Sequence, residues 1–243
     1  ALADFDAAIK LNPRSAGAFL DRGRAYESKG DLDRALADHN RAIELEPNNG
    51  WAYLHRGDIH YRKGHFDLAF ADFDLAIKLK PNDGFFYQRR GDKYVDRGDY
   101  DRAITDFTKA IELEPTNSSA YNSRARAYEK KGNLDAAIAD RTTAIELDPK
   151  IAYYYTSRAL AYKLKGDVDR AVADLKTAIS LQPDDSFAAD ILIEVYKEKG
   201  DIDAALALVS DRINRKPDDP YLYLKRGSLY AEKGDVDRAV ADY

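Results

Sequence analysis

Small and apolar side chains recur along this chain at steps of three and four, in two runs separated by a polar break. In the stretch 84–117, Tyr87, Gly91 and Tyr94 mark the first run, and Ala103, Phe107, Ala110 and Leu113 mark the second. Such steps line up side chains on one side of a helix, so each run predicts one helix with one buried face. The break reads Asp96-Arg97-Gly98-Asp99. Gly98 is able to adopt the left-handed backbone that closes a helix, and Asp99 or Asp101 can cap the next one. Pro115 follows the second run, where a residue without an N–H cannot extend the ladder. The prediction is a helical hairpin.

That hairpin is copied along the chain. Pro13, Pro47, Pro81, Pro115, Pro149, Pro183 and Pro217 stand 34 residues apart. Gly30, Gly64, Gly98, Gly132, Gly166, Gly200 and Gly234 keep the same step, as do Ala1, Ala35, Ala69, Ala103, Ala137, Ala171, Ala205 and Ala239. A fixed period of this size signals a stacked array. One hairpin buries too little apolar surface to offset its chain entropy, so the copies must lean on their neighbours.

Read through one copy, the order is aromatic, glycine, tyrosine, alanine, aromatic and proline, here Tyr87, Gly91, Tyr94, Ala103, Phe107 and Pro115. This pattern resembles the tetratricopeptide (TPR) repeat over essentially the whole chain. The resemblance implies an all-α fold, a right-handed α-solenoid superhelix of stacked helix-turn-helix units. The expected division is a single array over 1–243. It has a partial repeat at 1–15, full repeats at 16–49, 50–83, 84–117, 118–151, 152–185 and 186–219, and a partial repeat at 220–243. Both ends stop inside a unit without a polar capping repeat, which reads as a segment of a longer array able to stack head to tail. Pentatricopeptide repeats, which read RNA, run at about 35 residues and do not fit.

Charge and composition narrow the partners. The chain holds 43 acidic and 38 basic side chains, a net charge of −5, with both signs interleaved. No basic stripe exists to follow a nucleic-acid backbone. No run of 18 apolar residues predicts a membrane span. The absence of cysteine removes disulfides, thiolate metal sites and cysteine nucleophiles together. Any targeting signal would lie outside this segment, and a cytoplasmic location is assumed.

One column departs from the family pattern. Arg22, Arg56, Arg90, Arg124, Arg158 and Arg226 stand where leucine is common, and sixteen residues after each comes Asp38, Asp72, Asp106, Asp140, Asp174 or Asp242. In the sixth full repeat both change together, to Leu192 and Leu208. Pairing each arginine with the aspartate eighteen residues earlier would leave Arg226 facing Leu208, so pairing within the hairpin fits better. The expectation is a structural Arg–Asp bridge between the two helices of each hairpin, gripped by the planar guanidinium fork. The competing expectation is a pair of solvated charges worth roughly 0–1 kcal/mol. The sixth repeat differs further: Ile193 replaces Gly or Ala, Ala189 replaces an aromatic, and Arg212 and Arg215 stand where Ala and Leu recur. It reads as a locally repacked joint, the alternative being a bend or a partner-contact seam between this repeat and the last.

The resemblance places partner binding on the inner face, built from the first helix of each hairpin. The column two residues before the core aromatic is rotated by about 200° from it and cannot share the packed stripe. It reads Gly17, Trp51, Phe85, Ser119, Tyr153, Phe187 and Tyr221, beside Leu20, Leu54, Gln88, Asn122, Thr156, Asp190 and Leu224. Trp51, Phe85, Tyr153, Phe187, Tyr221, Leu54, Gln88 and Asn122 are the candidate contacts for an extended or helical peptide. Rings would supply area and amides register. The bland alternative is that the rings only thicken the core. Some TPR domains clamp a C-terminal carboxylate through lysine and asparagine. Leu20 with Arg24, Leu54 with Asp58 and Gln88 with Asp92 do not supply that pair, and Asn122 with Arg126 only approaches it.

Catalysis finds no motif. His39, His55, His60 and His65 cluster in sequence, which raises a metal site. His39 and His60 nevertheless occupy columns of core aromatics, and His55 and His60 diverge on one helix, so satisfied or surface histidines are expected and no metal or cofactor. The acid pairs Asp31 with Asp33 and Asp99 with Asp101 read as helix caps. The sequence therefore describes a non-enzymatic protein-interaction scaffold with a protein or peptide partner. The alternatives are a spacer or self-assembly element acting through its ends, or the regulatory arm of an enzyme encoded elsewhere.

Overall fold

The structure is a computed structural model and describes residues 2–243, so Ala1 of the alanine column lies outside the described residues. Among the described residues every regular element is a helix. After α1 (Leu2–Leu11) come α2 (Ala16–Ser28) with α3 (Leu32–Leu45), α4 (Gly50–Arg62) with α5 (Phe66–Leu79), and α6 (Gly84–Asp96) with α7 (Tyr100–Leu113). Next are α8 (Ser118–Lys130) with α9 (Leu134–Leu147), α10 (Ala152–Leu164) with α11 (Val168–Leu181), and α12 (Ser186–Glu198) with α13 (Ile202–Arg215). The last are α14 (Pro220–Lys233) and α15 (Val236–Asp242). This is the helix-turn-helix order of a TPR solenoid. The chain forms two compact units, Ala1–Ala127 and Tyr128–Tyr243.

The turns follow from local chemistry. Gly98 sits at φ 77°, in the left-handed region that an L side chain enters only with strain, and its counterpart in every hairpin does the same. The Asp99 carboxylate then accepts from the Arg102 backbone N–H and starts α7. Pro220 opens α14, where its missing N–H costs nothing. The second acid has another role in the first and fifth of these turns. Asp33 accepts from Lys63 of the next hairpin at 2.6 Å, and Asp169 from Lys199 at 2.7 Å. These outlying bridges tie successive hairpins at the surface, where each contributes little.

Inside a hairpin, a missing side chain makes room for a large one. A Cβ on Gly91 would lie 2.8 Å from the Phe107 ring, and one on Gly57 equally close to Phe73. Phe73, Phe86 and Phe107 are wholly buried in the first unit. In the second unit the apolar cluster runs through Leu175, Leu192, Ile193, Val195, Val209 and Leu222. Here Ile193 takes the glycine column and Val209 the phenylalanine column, so bulk has moved from one helix to the other while Ala189 lies buried beside them.

The arginine column is tucked between helices. Arg90 Nε and Nη2 donate to the two Asp106 oxygens at 2.8 and 2.7 Å. Arg22 with Asp38, Arg56 with Asp72, Arg158 with Asp174 and Arg226 with Asp242 repeat this fork. Asp106 keeps only 5% of its side-chain surface and Arg90 19%, so these are not solvated charges. Burial pushes the Asp106 carboxyl above the usual range, and Arg90's hydrogen bonds and charge pull it only partly back. Arg124 and Asp140 lie in different units; Asp140 is buried.

The third nitrogen of the fork has a further job. Nη1 of Arg22 donates to Asp6, that of Arg56 to Asn40, that of Arg90 to Asp74, that of Arg124 to Thr108 and that of Arg158 to Thr142. Each of these acceptors lies sixteen residues earlier, on the second helix of the preceding hairpin. One guanidinium therefore joins two successive hairpins. Where the arginine becomes Leu192, both it and Leu208 pack into the apolar cluster of the second unit.

Candidate functional site

The first helices of the first unit, α2, α4 and α6, line a cavity of about 440 Å³. Leu20, Trp51, Leu54 and Phe85 give it apolar walls, and Arg24, His55, Asp58 and Arg89 stand along the same cavity. Trp51 and Phe85 stand exposed on it, whereas Leu54 belongs equally to the buried core of its own hairpin. The volume falls within the range of small-ligand and side-chain pockets.

The aromatic column is not absorbed into the core. Trp51 is 38% exposed and Phe85 41%, while Tyr153, Phe187 and Tyr221 in the second unit are each more than half exposed. Their exposure sets them apart from the wholly buried ring of Phe86. Trp51 is nevertheless held in place. Its ring lies 4.9 Å from that of buried Phe86, 5.4 Å from Phe85 and 6.4 Å from His55. Part of the side chain is open to solvent while the ring packs against these neighbours.

The remaining candidate residues separate by role. Leu54 is only 2% exposed and acts as part of the cavity floor rather than as a free contact. Gln88 is half-buried and its amide donates to Ser119 Oγ at 2.9 Å, joining α6 to α8. Asn122 is half-buried with a carbonyl oxygen that has no hydrogen-bond partner. Thr156 turns inward and donates to the Ala152 carbonyl.

The charges are largely neutralised from within. Arg89 donates to Asp58 at 2.6 Å, and Lys93 reaches the other oxygen of that carboxylate at 3.3 Å. Arg126 donates to Asp92 at 2.9 Å, and burial pushes the Asp92 carboxyl up. Asp58 and Asp92 are the residues that stand where a carboxylate clamp would need a cation or amide.

The histidines depart from expectation. His39 is completely buried with Nδ1 unpartnered, and His60 also has a buried, unpartnered Nδ1. Neither is a fully satisfied core histidine. His39 Nε2 lies 2.6 Å from Glu27 Oε1, and His55 Nδ1 lies 3.5 Å from the same oxygen. The two imidazoles stack with centroids 5.4 Å apart. Burial pushes the Glu27 carboxyl up, but the two histidine hydrogen bonds and charges outweigh it and bring the group to about 2. Reading the histidines helix by helix missed this meeting. The signal was the sixteen-residue step from His39 to His55, which brings a second helix against the next first helix.

Comparison with known proteins agrees with this architecture. Family profiles described as TPR repeat match residues 23–64 and 91–132, and profiles described as tetratricopeptide repeat match 164–232 and 52–83 with 118–151. No curated protein matches the chain. Among solved structures, YrrB, described as a TPR protein with an unusual peptide-binding site, is 25% identical with a TM-score of 0.60. The match covers 79% of this chain and 98% of YrrB. MamA is 26% identical with a TM-score of 0.60 over 66% of this chain and 94% of its own. A tetratricopeptide repeat protein from Parabacteroides merdae is 21% identical, with a TM-score of 0.67 over 94% of this chain and 90% of its own.

Proposed function

The chain belongs to the tetratricopeptide repeat family, and on that premise we propose that its first unit holds a segment of a partner protein against α2, α4 and α6. The family supports a protein-interaction scaffold in general terms, and TPR repeat proteins are generally non-enzymatic. The finer reading rests on one observation: Trp51 and Phe85 stand exposed at the mouth of an apolar cavity while buried Phe86 fixes the tryptophan from below. A peptide bearing one aliphatic or aromatic anchor matches these walls, with its backbone or polar groups meeting Arg24 and His55 at the cavity edge. YrrB, similar over most of this chain, is itself described as having a peptide-binding site.

Trp51 is the only tryptophan, so its emission reports on the site directly. Peptides selected from a displayed random library on the intact protein are expected to change that emission. They should also lose about thirtyfold or more in affinity on Trp51→Ala with Phe85→Ala, the weight of an aromatic hot spot. Peptides that bind the double variant with unchanged affinity would move the site off this face. Self-assembly through the ends predicts instead that sedimentation rises with protein concentration and that added peptide leaves Trp51 unchanged.

A further inference from the structure

Glu27, His39 and His55 come from three different helices, the last turn of α2, the middle of α3 and the first half of α4. One oxygen of Glu27 and one nitrogen from each imidazole lie within 4.8 Å of one another. His39 is wholly buried; Glu27 and His55 are half-buried. We infer that these three side chains form a binding site for one borderline divalent transition metal of the zinc class. Two imidazoles and a carboxylate suit zinc, cobalt(II) or nickel(II), whereas calcium and magnesium require oxygen donors.

The columns of the repeat set this cluster apart. At the position of His39 the next hairpins carry Phe73 and Phe107, and at the position of Glu27 they carry Tyr61 and Val95. Only one other hairpin puts charge in both columns: Glu129 and Arg141, joined directly in a partly buried ion pair. There a carboxylate pairs directly with a buried cation through Arg141 Nη1, while Arg141 Nε has no partner. The first hairpin differs in offering an imidazole instead of a guanidinium, and a second imidazole from α4. Arginine is not a metal ligand in its charged form; histidine is, through the neutral ring.

The site has a way in. His55 lines the open cavity, so solvent or a ligand group can take the fourth position of a tetrahedral metal. Bringing the three donors to bonding distance closes the gap between the stacked imidazoles by small side-chain movements. His39 Nδ1 has no acceptor to fix its ring from behind. A ligand histidine that lacks this support binds about 10–100-fold less well, so the affinity falls short of a structural zinc site.

The test uses the intact, chelator-treated protein. Titrated cobalt(II) is expected to give visible absorption from a single site, displaced by one equivalent of zinc in calorimetry. Nickel(II) should quench Trp51, whose ring lies 6.4 Å from His55. His39→Phe restores the residue that the same column carries in the next two hairpins, so it keeps the fold and is expected to weaken binding by at least about tenfold. His55→Arg, which copies Arg89 of the next hairpin, should do the same, and Glu27→Gln provides a third removal. His65→Ala should change nothing. Unchanged zinc affinity in His39→Phe and His55→Arg, or no cobalt(II) absorption in the wild type, would overturn the assignment and leave a histidine–glutamate ion pair alone.

Discussion

The third and sixth hairpins solve one packing problem in opposite ways. In residues 84–117, the first helix offers no side chain at Gly91 and receives the Phe107 ring, while Arg90 and Asp106 cross the seam as ions. In residues 186–219, Ile193 fills the glycine column, Val209 stands in for the ring, and Leu192 with Leu208 replaces the ionic crossing. Both hairpins close around the same backbone path, with Gly98 and Gly200 at φ 77° and 74°. The lesson is that these columns change as pairs. A buried ion pair can give way to apolar residues of similar reach at little cost, but half of one cannot.

The largest effect should follow from breaking the ionic crossing on one side. Arg90→Leu alone leaves Asp106 buried without a cation and is expected to lower unfolding free energy by roughly 3–5 kcal/mol. Adding Asp106→Leu should restore most of that loss, since it rebuilds the Leu192–Leu208 solution; equal denaturant midpoints for the single and double variants would sink the idea. A middle-sized effect is expected at the volume column. Gly91→Ile drives a side chain into the Phe107 ring and should cost about 1–3 kcal/mol or more, with Phe107→Val recovering part of it. A thermal melt of the four species checks the coupling, which vanishes if the two losses simply add. The smallest effect belongs to the outlying bridge beside the sixth hairpin. Lys199→Ala removes an ion pair with a partner that is 90% exposed and should leave the melting temperature unchanged within error.

Most of the fold was readable because its information is periodic. The hairpin, its left-handed glycine and its capping aspartate each repeat at 34 residues, so weak local signals reinforce one another. The sixteen-residue arginine–aspartate relation was readable for the same reason, and the joint loss at Leu192 and Leu208 chose the pairing. The second grip that five of these arginines make was not. Its acceptors run Asp6, Asn40, Asp74, Thr108 and Thr142, oxygen bearers with no common charge, and a search for opposite charges passes over them. The aromatic face was readable as a column turned away from the core. How each ring sits was not, because Trp51 rests on Phe86 through tertiary geometry that spacing does not encode. The histidine cluster stayed hidden because it uses each column once, and a feature without a second copy gains nothing from the period.

The two-handed arginine also accounts for why the repeat tolerates no stray residue. The guanidiniums of Arg22, Arg56, Arg90 and Arg158 each measure sixteen positions forward and sixteen back, and an insertion of one residue in either helix turns the far end by about 100°. The carboxylate would then stay behind in the seam, dry and unanswered. Removing or duplicating a whole 34-residue block returns every acceptor to the hand that needs it. Growth and shrinkage of such a chain are therefore quantised, and its length is counted in hairpins rather than in amino acids.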